Sequence, residues 1–287
     1  MKKNILIVGC GNLGSHLLPK LLNKFNVFAT NRKIKYESKI GFTNIELDLS
    51  LYPKKKLPSI FNIVLYTVPP ISVKHPRKPL LEFFLTQNFS NVNSNPIHFI
   101  YIGTTGIYGD HHGKKVSEAS QLLASEERSR LRIMDEEIIR RYSQVLSLQT
   151  TILRVSGITS NRRFKKDSLP TIIPAKANDV IINRIHLDDL VNSVVYTLFN
   201  KKNNRAYNIS DGKKIKYGDY YEYVAKLLKI KPPERLSNDE YRTRVNKNFL
   251  TFLTQSKFID NSRLLNETNW RPNFDLENYL NNESACR

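Results

Sequence analysis

Residues 4–8, Asn-Ile-Leu-Ile-Val, form a short branched apolar run, and residues 15–22 carry leucine at helical spacing. The run has the pattern of a strand buried on both faces, and the leucines that of an amphipathic helix lying on it. The alternation then repeats. Apolar runs over 26–30, 44–47, 62–67, 96–103 and 147–155 predict further strands. The spacing predicts helices over 79–89 and 121–142, the second built around a Leu131, Met134 and Ile138 stripe with its charged face exposed. Strands alternating with helices predict an α/β fold, a doubly wound parallel sheet covered on both faces. Beyond 155 the pattern loosens into a basic loop over 161–177, a helix over 187–199, a strand over 206–210, a helix over 217–228 and a mixed, mostly polar remainder. The expected division is a sheet domain over 1–160, completed by 178–210, and a smaller mixed C-terminal region made of 161–177 and 211–287. Pro19 removes a backbone donor inside the first helix and predicts a kink there.

Between the first strand and the first helix stands Gly9-Cys10-Gly11-Asn12-Leu13-Gly14. This G-x-G-x-x-G spacing suits a dinucleotide pyrophosphate: Gly9 makes the tight turn, Gly11 leaves backbone N–H groups open to the phosphates, and Gly14 lets helix and strand pack closely. The helix N-terminus adds about half a positive charge facing the anion. A carboxylate at the end of the second strand would accept the ribose 2′-hydroxyl of NAD. Here that strand ends in Asn31, Arg32 and Lys33, cations that pair with a 2′-phosphate. NADP is therefore the expected cofactor, with NAD also admitted.

The 287 residues are 40% hydrophobic, with a formal net charge of +19. No apolar run approaches the ~20 residues of a membrane span, and the run after Met-Lys-Lys is too short for a signal peptide, so retention in the cytoplasm is expected. The basic residues are scattered through loops, as Lys54-Lys55-Lys56, Arg162-Arg163 with Lys165-Lys166, Lys201-Lys202 and Lys213-Lys214. No nucleic-acid-binding signature accompanies them, so nucleic acid is not the expected partner; a solvated basic surface is the expected reading, and attraction to anionic, phosphorylated ligands the intermediate one. Two cysteines, Cys10 and Cys286, make neither a disulfide framework nor a metal spacing, and no metal site is expected.

Five segments, in order, resemble the extended short-chain dehydrogenase/reductase family, the NAD-dependent epimerase/dehydratase group, and within it the atypical branch with a G-x-G-x-x-G loop. Residues 99–110 (FIYIGTTGIYGD) resemble its fifth strand and "SS-x-x-x-YGD" segment, and 152–158 (ILRVSGI) its "LR-x-x-G-I-Y-G" strand. Residues 185–190 (IHLDDL) are similar to "HVDD", and 207–211 (YNISD) to "YN-[IV]-x-[DS]"; Arg263-Leu264 with Trp270-Arg271-Pro272 is similar to the terminal "R-L … GW-x-P". The resemblance implies a Rossmann sheet, a small-molecule substrate, and hydride transfer at a hydroxyl or carbonyl carbon. It carries the oxygen-orienting Ser/Thr onto Thr104. It also puts Asp48 and Leu49 near the adenine, and Thr67 and Val68 where the ribose and nicotinamide pass.

The family's proton-transfer tyrosine and its lysine four residues later fall on Arg128 and Arg132, because Arg132 to Glu136 resembles its "K-x-x-x-E". The one Tyr-x-x-x-Lys, Tyr52 with Lys56, falls in a loop and reads as coincidence. Arginine cannot replace a phenol as acid, since its pKa stays above about 12, but it can hold a ribose hydroxyl or polarise a carbonyl. Thr104, Arg132 and Tyr108 are thus the candidate catalytic residues, with His111 and His112 as further nearby donors and His186 with Asp188-Asp189 as a helix start. The expected function is that of an NADP-dependent oxidoreductase or epimerase-type enzyme acting on a small polyhydroxylated or nucleotide-linked substrate. The alternative is a dinucleotide-binding sensor or assembly protein with little or no turnover. The family often dimerises through the helix equivalent to 121–142, so a homodimer is admitted.

Overall fold

The computed structural model describes residues 2–33, 41–54, 56–71, 79–89, 97–146, 148–199 and 204–285. Lys55, Lys201 and Lys202 of the basic clusters, and Cys286, lie outside them. Seven parallel strands form the central sheet: β1 Lys3–Val8, β2 Phe25–Asn31, β3 Thr43–Glu46, β4 Ile63–Tyr66, β5 His98–Thr104, β6 Gln149–Val155 and β7 Arg205–Ile209. Their order is β7-β6-β5-β4-β1-β2-β3, so the winding reverses between β1 and β4.

The period-2 geometry of β1 explains its unbroken apolar run. Ile5 and Ile7 enter one core, with Leu17, Leu18 and Leu21 of α1 (Asn12–Leu21) and Leu190, Val191 and Val194 of α4 (Leu187–Phe199). Leu6 and Val8 enter the other, with Leu81, Phe84 and Leu85 of α2 (Leu80–Phe89) and Ile138 and Ile139 of α3 (Glu127–Val145). Helix α1 continues past Pro19 to Leu21.

Two features of α3 differ from the sequence reading. It starts at Glu127 rather than 121, because the preceding segment is strapped to the turn after β5: the Leu123 amide donates to the Tyr108 carbonyl at 3.2 Å. Its buried face is also charged. Arg132, Asp135 and Glu136 lie inside, whereas Met134 of the expected stripe is 39% exposed. Polar partners on β5 and β6 make that face tolerable, as described below.

A third core gathers Phe164, Ile173, Ile182, Leu236, Tyr241 and Leu253 with Tyr217, Tyr220 and Val224 of α5 (Tyr217–Leu227). Ile172–Pro174 pairs with Glu234–Leu236, and Ile181–Ile182 with Ile215–Lys216. Ile182 thus packs with the C-terminal region, while Leu264 and Trp270 cross into the sheet's first core. The crossing is anchored at Asp189, whose carboxylate accepts from the Asn273 and Phe274 amides at 2.9 Å each and whose carbonyl accepts from Trp270 Nε1. His186 stacks on Phe274 with ring centroids 3.6 Å apart.

Candidate dinucleotide crevice

The loop after β1 gives each glycine a separate physical task. Gly9 has φ +84°, and a Cβ there would stand 2.7 Å from Val68 Cγ2. The Gly9 amide donates to Thr30 Oγ1 at 3.0 Å, and the Thr67 hydroxyl donates to the Gly9 carbonyl at 2.5 Å, so the ends of β2 and β4 hold the turn. Gly14 packs helix on strand: its Cβ would meet Cys10 Sγ at 2.9 Å and Ile7 Cγ2 at 3.4 Å. At Gly11 the nearest atom to a Cβ would be the Gly9 carbonyl oxygen at 3.9 Å, which leaves its side open. The first intrahelical bond, Ser15 amide to Gly11 carbonyl, leaves the amides of Asn12, Leu13 and Gly14 without helical acceptors. An open glycine backed by first-turn amides fits a pyrophosphate. Cys10 is buried, and burial pushes its thiol up to about 11, so it stays a packed, protonated side chain.

At the end of β2, Asn31 is buried and its amide donates to Asn44 Oδ1 at 3.0 Å, while Arg32 and Lys33 are exposed. Asp48 Oδ1 accepts from the Ser50 amide and hydroxyl, capping a short turn, Leu49–Leu51. Leu49 is 5% exposed and packs in the second core, which leaves only its backbone for a ligand. Val68 is half-buried against the same core. Gly9, Arg32, Thr67 and Thr104 follow or close β1, β2, β4 and β5, neighbours in the sheet, so all border one edge at the carboxyl ends of the strands.

Thr104 closes β5, and its hydroxyl oxygen accepts from the Gly106 amide at 3.1 Å, which leaves its own proton to donate. Beside it, Ser129 of α3 approaches Gly106, its Oγ 3.1 Å from where a Cβ would stand. Arg128, at the tyrosine position, is exposed. Arg132 is 9% exposed and turned onto β5, donating to the Ile102 carbonyl at 2.9 Å and to Tyr101 Oη at 3.1 Å. The Tyr101 hydroxyl donates to Asp135 Oδ2 at 2.7 Å, and burial pushes the Asp135 carboxyl up to about 6.

Tyr108 requires a correction. It is fully buried; its hydroxyl donates to Asn208 Oδ1 at 2.7 Å and accepts from Arg154 Nη1 at 2.8 Å. Burial raises its pKa, so it braces the core and does not face the crevice. Arg154, inside β6, in turn makes a two-pronged ion pair with Glu136, at 3.0 and 2.7 Å. His111 Nε2 lies 3.2 Å from the Gln121 carbonyl, and His112 is paired with Asp110 at the surface. Among the described residues no His/Cys/Asp/Glu group is arranged to hold a metal.

Sequence reasoning missed Ser129, Asp135 and Lys257. Lys257 is 6% exposed, donates to the Gly109 carbonyl at 2.7 Å, and is pulled down to about 8 by burial. The available signal for the buried polar face was Arg154 itself, because an arginine inside an apolar strand needs a buried carboxylate.

No protein-family model and no curated protein matches the chain. Solved structures match along nearly its whole length. A conserved protein of unknown function from Silicibacter pomeroyi is 21% identical, with a TM-score of 0.81 over 99% of both chains. The chain shares with these structures an α/β Rossmann-like fold, a seven-stranded parallel sheet flanked by helices. UDP-glucuronic acid 4-epimerase from Bacillus cereus, solved with NAD, is 18% identical, with a TM-score of 0.73 over 96% of each chain. UDP-glucose 4-epimerase from Thermotoga maritima, solved with UDP-glucose, is 17% identical, with a TM-score of 0.72 over 96% of each. The likeness to these epimerases is one of fold, including the seven-stranded parallel sheet with its helices on both faces.

Proposed function

We propose that this protein binds a nicotinamide dinucleotide at the Gly9–Gly14 loop and acts as an epimerase-type oxidoreductase on a small polyhydroxylated or nucleotide-linked substrate. The observation that carries the reading is the open side of Gly11 in front of the first-turn amides of α1. NADP is preferred to NAD, because the exposed cations Arg32 and Lys33 that follow β2 would pair with a 2′-phosphate. When bound, the nicotinamide supplies hydride acceptance and return. The hydroxyl proton released with the hydride would pass to solvent and return with it, while the loop amides would hold the diphosphate and the Thr104 hydroxyl would hydrogen-bond the substrate oxygen at the reacting carbon.

A second reading, cofactor binding with little or no turnover, is favoured by exposed Arg128 at the tyrosine position and by the enclosure of Tyr108. Either reading suits a cytoplasmic protein; among the described residues no helix is long and apolar enough to cross a membrane. A homodimer would use the outer face of α3, where Met134 and Val145 are exposed beside Arg130 and Glu137.

Fluorescence titration with NADPH and NADH tests the cofactor. NADPH is expected to bind more tightly, and Arg32→Ala to reduce that preference by on the order of tenfold, about 1.4 kcal/mol. Reduction of bound NADP or NAD by UDP-glucose or UDP-glucuronic acid supports the enzyme; binding without reduction across a sugar-nucleotide and carbonyl panel supports the second reading.

A further inference from the structure

The turn after β5 brings a second hydroxyl to the place where Thr104 would meet a substrate. Ser129 Oγ and Thr104 Oγ1 lie 3.1 and 3.4 Å from the position a Cβ would take on Gly106. Both hydroxyls therefore border the side of Gly106 that a side chain would occupy, at the carboxyl end of β5, and a Cβ there would crowd them. Its φ is not in the left-handed region, so backbone conformation does not require glycine there. Among the described residues, nothing hydrogen-bonds Ser129 Oγ, although Ser129 is only 7% exposed. The neighbouring candidates are otherwise engaged: Arg132 is tied to Ile102 and Tyr101, Arg128 lies outside, and Tyr108 is enclosed.

We infer that Ser129 and Thr104, whose hydroxyls both approach Gly106, together grip one substrate oxygen, a secondary hydroxyl or the carbonyl formed from it. This rests on the proposed function and names a residue for the same site. A carbonyl oxygen has two lone pairs, and two hydroxyl donors converging on it fix the carbon's orientation as well as its position. Ser129 sits in the first turn of α3, whose amide ends favour negative charge building on that oxygen. Ser129 acts by hydrogen bonding, and the substrate proton is not assigned to it.

The test compares the full-length protein with Ser129→Ala and Gly106→Ala. Each variant is loaded with NADP or NAD and assayed for nicotinamide reduction by UDP-glucose and UDP-glucuronic acid. Ser129→Ala removes one donor and is expected to lower the reduction rate on the order of a hundredfold, with NADPH affinity and melting temperature unchanged. Gly106→Ala keeps both hydroxyls but sets a methyl against them; that methyl meets only side-chain atoms that can yield slightly, so the variant should fold, bind NADPH and lose reduction to a similar degree. The second substitution should cost much less in a Ser129→Ala background. Reduction by Ser129→Ala within about twofold of the unaltered protein would overturn the assignment, as would an unimpaired Gly106→Ala. Absence of reduction by the unaltered protein across the whole panel overturns the catalytic reading, and this assignment with it.

Discussion

A methyl group at Gly11 would meet nothing closer than 3.9 Å, whereas one at Gly14 would meet Cys10 Sγ at 2.9 Å. Under the proposed function, these two glycines of one loop therefore separate binding from stability. Gly11→Ala is expected to leave the melting temperature unchanged while weakening dinucleotide binding by at least about tenfold in a fluorescence titration. Gly14→Ala should cost about 1–3 kcal/mol by overpacking, read as a lower urea midpoint at constant slope, and Cys10→Ala should recover part of it. The turn at Gly9 and the close packing at Gly14 were legible from spacing, since turn, strand and helix are contiguous in the chain. The role of Tyr108 was not legible. Its hydroxyl partners, Arg154 and Asn208, come from β6 and β7, and only folding brings them to the turn.

Helix α3 carries the main lesson at the scale of the element. Periodicity pointed to an apolar stripe, and Ile138 of it is buried, but Met134 is not, and Arg132, Asp135 and Glu136 are buried where they meet Tyr101, Ile102 and Arg154 on the sheet. Asp135 makes this testable. Burial holds its carboxyl at about 6, above an unfolded value of about 4, so the folded state keeps a proton that the unfolded chain releases. Its stabilising contribution is fully present below about pH 4 and is lost as pH rises through about 6. Asp135→Asn, which keeps an acceptor for Tyr101, should remove that slope in urea unfolding and be relatively more stable than the unaltered protein above pH 6. An unchanged slope between pH 4 and 6 would show that folding does not raise the Asp135 carboxyl.

Across the whole molecule, the C-terminal region is joined to the sheet by polar fasteners. Asp189 holds residues 273 and 274, and Lys257 reaches the Gly109 carbonyl beside Asp110 and Glu126. The Lys257 amine, pulled down to about 8, releases a proton that the unfolded chain keeps until about 10.4. Stability should therefore rise with pH between those values, a dependence that Lys257→Met flattens in thermal melts. The exchange of Ile182, Leu264 and Trp270 between cores is another effect of assembly, since their side chains choose a core by tertiary position.

The sequence by itself determined the parallel α/β sheet, the placing of the glycine loop, and the cations after β2. Each depends on neighbouring residues and on the 2.0 and 3.6 residue periods of strand and helix. Only the tertiary structure decided which face of α3 is buried, that Tyr108 is a core brace, and that Ser129 and Thr104 both approach Gly106. Those outcomes depend on contacts between segments distant in the chain, where a hydrogen bond or ion pair on the sheet outweighs the local apolar pattern.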